Sequence, residues 1–200
     1  MKTIYLLRHE ECFSRGYTGS GSNVELTPAG KENARRTAGL LAEANLDVIF
    51  TSPMKRCIDT ASPIADAAGL LPVSTDELRE ISFGSWEGRT YDEIEKISGD
   101  KLSAWLSFPE LNSPPGGEKL DQMYERIEYF WRTEIVEKPH LRILIVSHGG
   151  PIRTLLSLLS GGGIKNHWAF SIDRGNFCII KMYDDQKCQI AGTNLKQITE

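Results

Sequence analysis

No apolar run in this 200-residue chain approaches the roughly 18 residues that a membrane-crossing helix needs. A membrane span is therefore not expected. Cysteine is scarce and scattered: Cys12, Cys57, Cys178 and Cys188 contain no Cys-x-x-Cys pair. That spacing speaks against a zinc site or a disulfide framework and for free thiols. Positive charge is not concentrated either. The 23 Lys and Arg are dispersed among 27 Asp and Glu, for a net charge of −4, so a nucleic-acid surface is not expected. A small anionic ligand stays compatible, because a pocket needs only a few local cations. The amino terminus lacks the basic, apolar and small-residue zones of a secretory leader, and a cytoplasmic location is expected. With no internal repeat, low-complexity tract or linker, residues 1–200 are expected to form one domain.

What the chain does hold is the mixture of a soluble globular protein, 40% hydrophobic and 25% charged. Lys2 to Leu7, Val48 to Thr51 and Arg142 to Ser147 read as short buried strands, the last the most apolar. Val73 to Thr75, Phe177 to Tyr183 and Cys188 to Thr193 add further strand signals. Thr27 and Pro28 supply an N-cap and a first-turn proline for a helix to about Ala44. Ser52 and Pro53 repeat that signal for a helix ended by Gly69. Thr90 and Glu93 have the spacing of a capping box for a helix from Tyr91 to Ser98. Two more helices are expected, from about Lys119 to Glu137 and from Pro151 to Leu159. Glu10 to Glu25 and Pro109 to Gly117 read as loops. Strands alternating with helices predict an α/β fold, a three-layer α/β/α sandwich with a mostly parallel central sheet. In such sheets ligands sit beyond the carboxyl ends of the strands.

Two histidines fall at such ends. Arg8 and His9 follow the first strand; His148, Gly149 and Gly150 follow the most apolar one and lead into a helix. Free N–H groups at that helix start would face an anion. Either site alone reads equally well as structural, but together they place phosphate-suited groups on one sheet edge. Arg56, in the stretch from Ser52 to Cys57 that directly follows the strand ending at Thr51, opposes the helix dipole in a first turn, a cost that contact with an anion would offset. The stretch from Leu78 to Gly88 reads as an irregular loop anchored by Phe83 and Trp86.

With these pieces in place, the chain resembles the histidine phosphatase superfamily, also called the phosphoglycerate mutase-like family. The resemblance runs over nearly the whole chain: Leu7-Arg8-His9, Leu26 to Gly30, Ser52-Pro53 with Arg56, Leu78 to Gly88, Pro115 to Glu118, and Val146 to Gly150. Tyr17-Thr18-Gly19 and the stretch from Phe83 to Gly88 look most like the α-ribazole phosphatase branch.

The resemblance implies a phosphomonoesterase acting on a small phosphorylated metabolite, with α-ribazole phosphate a candidate. His9 would attack phosphorus and become a phosphohistidine that water hydrolyses. Arg8, Arg56, a cationic His148 and the backbone at Gly149 would hold the phosphoryl oxygens, the work that metal ions do elsewhere. No metal or cofactor is implied. Glu80 would protonate the leaving oxygen; its competitor, Glu87, reads otherwise as a surface or turn-stabilising carboxylate. Arg15 and Thr18 would touch substrate, and a homodimer is left open.

One departure stands out. The family usually has Gly where this chain has Glu10, and the first loop lacks the usual asparagine near position 15. A carboxylate at position 10 would point to solvent, orient a basic substrate or weaken phosphate binding. Two other functions fit the family's frame: a cofactor-dependent phosphoglycerate mutase, which usually carries extra segments, and a non-catalytic phospho-ligand or protein-binding module.

Overall fold

The computed structural model describes residues 1–196; the last four positions of the expected domain lie outside the described residues. Six strands form one sheet: β1 (Lys2–Arg8), β2 (Val48–Thr51), β3 (Val73–Ser74), β4 (Arg142–Ser147), β5 (Phe177–Met182) and β6 (Cys188–Leu195). Their order is β3-β2-β4-β1-β5-β6. β3, β2, β4 and β1 pair in parallel, and β5 and β6 add two antiparallel pairings at one side. The mostly parallel sheet expected from the sequence is present.

Alternation along the central strands builds two cores from one sheet, since successive side chains point to opposite faces. On β1, Ile4 and Leu6 join one core and Leu7 the other; on β4, Ile143 and Ile145 face one way, Leu144 and Val146 the other. The first core is closed by α4 (Leu120–Phe130) and α5 (Gly149–Leu159), the second by α1 (Pro28–Leu41) and α2 (Lys55–Ala68). Both faces are covered, which explains why β4 is buried at five successive positions, the first four of them apolar. A third, smaller cluster of Trp86, Ile94, Leu102 and Trp105 seats α3 (Tyr91–Ser107) beside the sheet's carboxyl edge. Among the described residues no helix is long and apolar enough to cross a membrane.

Several element ends differ from the sequence reading for identifiable reasons. α3 runs nine residues further than Ser98, through a kink where Ser98 is non-helical. There the Ser98 hydroxyl accepts the indole N–H of the fully buried Trp86 at 3.0 Å, and Ser, Gly and Asp in succession look like a helix stop. α4 ends at Phe130 and continues as wider turns over Trp131–Val136. Thr27 and Thr90 cap their helices as expected, Thr90 reciprocally with Glu93. Ser52 does not cap α2, whose N-cap is Met54. The Ser52 hydroxyl accepts the Met54 amide at 3.3 Å just ahead of the helix and also meets His148.

Candidate active site

Register brings the two histidines together. β1 and β4 are parallel neighbours with Arg8 opposite Ser147, and the His9 amide donates to the Ser147 carbonyl at 2.9 Å. The residues that follow each strand, His9 and His148, therefore stand side by side. Their rings meet edge to face with centroids 5.2 Å apart. β2 lies on the other side of β4, and its next residue, Ser52, holds the His148 Nε2 at 2.8 Å through its hydroxyl.

The protonation of both rings follows from their partners. His9 Nδ1 lies 2.8 Å from the Glu10 carbonyl, which can only accept, so Nδ1 carries the proton and Nε2 keeps its lone pair. Burial, then the nearby charges of Arg56, Arg8 and Arg174, hold His9 well below the usual histidine range, against the Glu10 carbonyl, which favours the proton. His148 is completely buried. Its Nδ1 faces the Nε–H of Arg56 at 3.2 Å; a guanidinium only donates, so Nδ1 is the acceptor and the ring is neutral with its proton on Nε2. Burial, followed by Arg56, again pushes its pKa well down. The cationic His148 expected from the sequence is not what this arrangement holds.

Arg56 is 1% exposed and ties the first loop to the sheet edge. Besides His148, it donates from Nη1 to the Ser22 carbonyl at 2.8 Å and from Nη2 to that of Gly19 at 3.2 Å. Glu87 clamps the same loop from the other side. Its carboxylate accepts from the Gly19 and Gly21 amides, the Ser22 hydroxyl and the Phe83 amide, all within 3.1 Å. That is the turn-stabilising reading of Glu87. Glu80 instead reaches the start of α5, accepting the Gly150 amide at 3.1 Å and its neighbour Ile81's at 3.0 Å. A side chain at Gly150 would collide with it, the added carbon lying 2.2 Å from Oε1. The 115–118 motif backs this loop: the Ser85 amide donates to the Pro115 carbonyl and the Glu118 amide to that of Ser82.

A cavity of about 360 Å³ opens over these groups. Arg8, His9, Arg56, Glu80, Gly149 and Thr18 all line it. His148 does not; it stands behind His9 and Arg56. Arg15 is exposed, paired with Glu93 at 2.5 Å, and is not brought to the cavity. Arg153 and Arg174, not singled out in the sequence, do line it, with Tyr17, Phe83 and Tyr91 supplying aromatic wall. Burial lowers the pKa of Arg8, opposed by the charge of Glu80 and reinforced by those of Arg174 and Arg153. The Glu10 carboxylate turns away, accepting from the Thr37 hydroxyl on α1 at 3.1 Å and packing on Gly175, in a separate cavity.

Known proteins share this frame. A phosphoserine phosphatase of Hydrogenobacter thermophilus is 32% identical over 160 residues, covering 79% of this chain and 75% of that one. The adenosylcobalamin/α-ribazole phosphatase of Escherichia coli is 28% identical over 174 residues, 86% of each chain. The crystal structure of the α-ribazole phosphatase from Shigella flexneri superposes with a TM-score of 0.89 at 26% identity, over 99% of this chain and 98% of that one. The family model for the histidine phosphatase superfamily (branch 1) matches residues 4–196. The chain belongs to that superfamily, and it is a phosphatase.

Proposed function

We propose that the protein hydrolyses a small phosphorylated metabolite through a phosphohistidine on His9, without a metal ion. The observation that carries this reading is the state of His9: neutral, its Nδ1–H spent on the Glu10 carbonyl, its other nitrogen free at a cavity lined by arginines. A neutral imidazole in that position is an activated nucleophile.

In the first step Nε2 of His9 bonds to phosphorus as the ester P–O bond breaks. The leaving oxygen takes its proton from Glu80. Arg8, Arg56 and the Gly149 amide hold the three oxygens on which charge spreads, and arginine suits this because its planar fork stays charged. His148 contributes through Arg56, whose guanidinium it fixes by accepting Nε–H. Thr18 forms part of the substrate wall. In the second step water attacks the phosphohistidine, gives its proton to the Glu80 carboxylate, and releases phosphate and neutral His9. The positive charge that a metal would supply comes from guanidinium groups.

Relatives' names put phosphoserine and α-ribazole phosphate forward as substrates. A screen of phosphorylated metabolites in excess chelator tests the proposal, with phosphate release as readout. Release in EDTA from one or more alkyl phosphates is expected. Release that stops on chelation and returns with a divalent ion contradicts metal independence, and isomerisation of a phosphoglycerate without net release marks a mutase instead.

A further inference from the structure

Arg153 and Arg174 line the cavity yet have no part in the steps above. Arg153 sits on α5 four residues after Gly149. Its Nε donates to the Phe170 carbonyl at 3.0 Å, and its guanidinium carbon lies 5.5 Å from the centre of the Trp168 ring. These contacts fix the stem and aim the terminal nitrogens at Gly149. A carbon added to Gly149 would stand 3.5 Å from Arg153 Nη1 and 3.5 Å from Arg8 Cζ, so two guanidiniums flank one point. Arg174 is exposed, its Nη2 on the Ser14 hydroxyl at 2.5 Å.

Among the described residues no carboxylate lies within 4.0 Å of Arg8, Arg56, Arg153 or Arg174; of the other eight arginines, Arg15, Arg35, Arg36, Arg79 and Arg126 are each paired with one, and Arg89, Arg132 and Arg142 are not. Four of the seven unpaired arginines thus gather at one cavity, in a chain whose net charge is −4. Facing them the cavity sets a single carboxylate, Glu80. The dianion of a phosphomonoester compensates two more charges. At least one guanidinium stays uncompensated, and a cleft so charged concentrates anions.

We infer that the substrate carries a second anionic group, a carboxylate or another phosphate, received by Arg153 and Arg174. The inference rests on the phosphatase reading and narrows it to acidic phosphomonoesters over neutral ones. Arg153 and Arg174 are specificity-determining residues in this account and take no part in bond breaking.

Phosphonates that cannot be hydrolysed test this apart from turnover. Methylphosphonate carries one anionic group; phosphonoacetate adds a carboxylate and methylenebisphosphonate a second phosphonate. By titration calorimetry one of the latter two should bind about 10- to 100-fold tighter than methylphosphonate, the worth of a charge-assisted hydrogen bond pair. The tighter of the two names the second group. R153Q and R174Q should each reduce that ratio about fivefold or more, and Arg174 is exposed, so its variant reports even if R153Q fails to fold. A wild-type ratio within about twofold of one, or a ratio unchanged in R174Q and in a folded R153Q, overturns the inference. Hydrolysis of p-nitrophenyl phosphate by the same wild-type sample separates the two levels. Turnover with a ratio near one faults the second-anion site alone, and a large ratio without turnover faults the hydrolysis while supporting the site.

Discussion

Arg56 donates its Nε–H to Nδ1 of His148 across 3.2 Å, both side chains being buried. A protonated imidazole would turn two donors toward each other at that spot. The neutral ring is therefore built into the site, and the guanidinium is held by an acceptor that has no charge of its own. This divides the labour: Arg56 and Arg8 bring charge, and His148 brings orientation.

Nitrogen NMR of the histidine-labelled protein checks this. His148 should show one protonated and one unprotonated ring nitrogen from pH 8 down to about 5.5, with the proton on Nε2, since its folded pKa lies well below the usual value of about 6.5. Two protonated nitrogens in that range would contradict the tautomer.

The same burial makes stability depend on pH. His9 and His148 are held well below the usual histidine value, and burial, then Arg153, lowers His167 to about 3. In the unfolded chain all three take protons as pH falls through about 6.5. Below that the unfolded state binds more protons than the folded one, so stability falls with falling pH. Each histidine still neutral at pH 5 costs about 2 kcal/mol there relative to pH 7 or above. Urea midpoints should drop steeply between pH 6.5 and 5; a flat profile would contradict neutral buried histidines.

Glu10 titrates in the opposite sense. Burial raises its pKa, the Thr37 hydroxyl lowers it, and Glu11 raises it again. The folded protein thus keeps a proton that the unfolded chain has lost, and stability declines as pH rises from about 4.5 through the folded pKa. Glu10→Gln keeps an acceptor for Thr37 and removes the charge. Its midpoint should exceed that of the wild type at pH 7 to 8, the gain shrinking toward pH 4.5. Because the carboxylate faces α1, KM should change by less than about threefold; a larger change would place Glu10 in contact with substrate.

Much of the fold and part of the site were legible before the structure. Short apolar runs at β1, β2 and β4, and two capped helix starts, indicate the layers, and strand ends place His9 and His148 on one edge. Arg56 was singled out by its unfavourable place in a helix's first turn, and Glu80 by motif order. What was missed depends on tertiary geometry. Arg153 carried a readable signal, its i to i+4 spacing from Gly149. Arg174 did not: it reaches the cavity because β5 runs antiparallel to β1, with Phe177 opposite Leu7, and that pairing is invisible in a single sequence. Arg15 lies in the right loop but pairs with Glu93, and no local pattern tells a paired arginine from a free one. Ser52 looks like a cap; its hydroxyl accepts the Met54 amide just ahead of α2 and also holds His148.

The two carboxylates flanking the loop should separate cleanly under substitution. Glu80→Gln removes a transferable proton at the cavity and should slow hydrolysis of alkyl phosphates about 10²- to 10⁴-fold. Single-turnover phosphorylation by p-nitrophenyl phosphate, whose leaving group departs as the anion, should suffer far less. Glu87→Gln weakens a clamp of four hydrogen bonds, costing about 1.5–3 kcal/mol of stability with no dependence on the leaving group. Leaving-group dependence at Glu87 in place of Glu80 would reverse the assignment.

The central claim is a covalent bond between His9 and phosphorus. A phosphomonoester labelled with ³²P, mixed with enzyme and quenched within one turnover, should leave label that survives alkali and is lost in acid, mapped to His9 and absent from the His9→Ala variant. Label that persists in that variant, or full hydrolysis by it, would contradict the account.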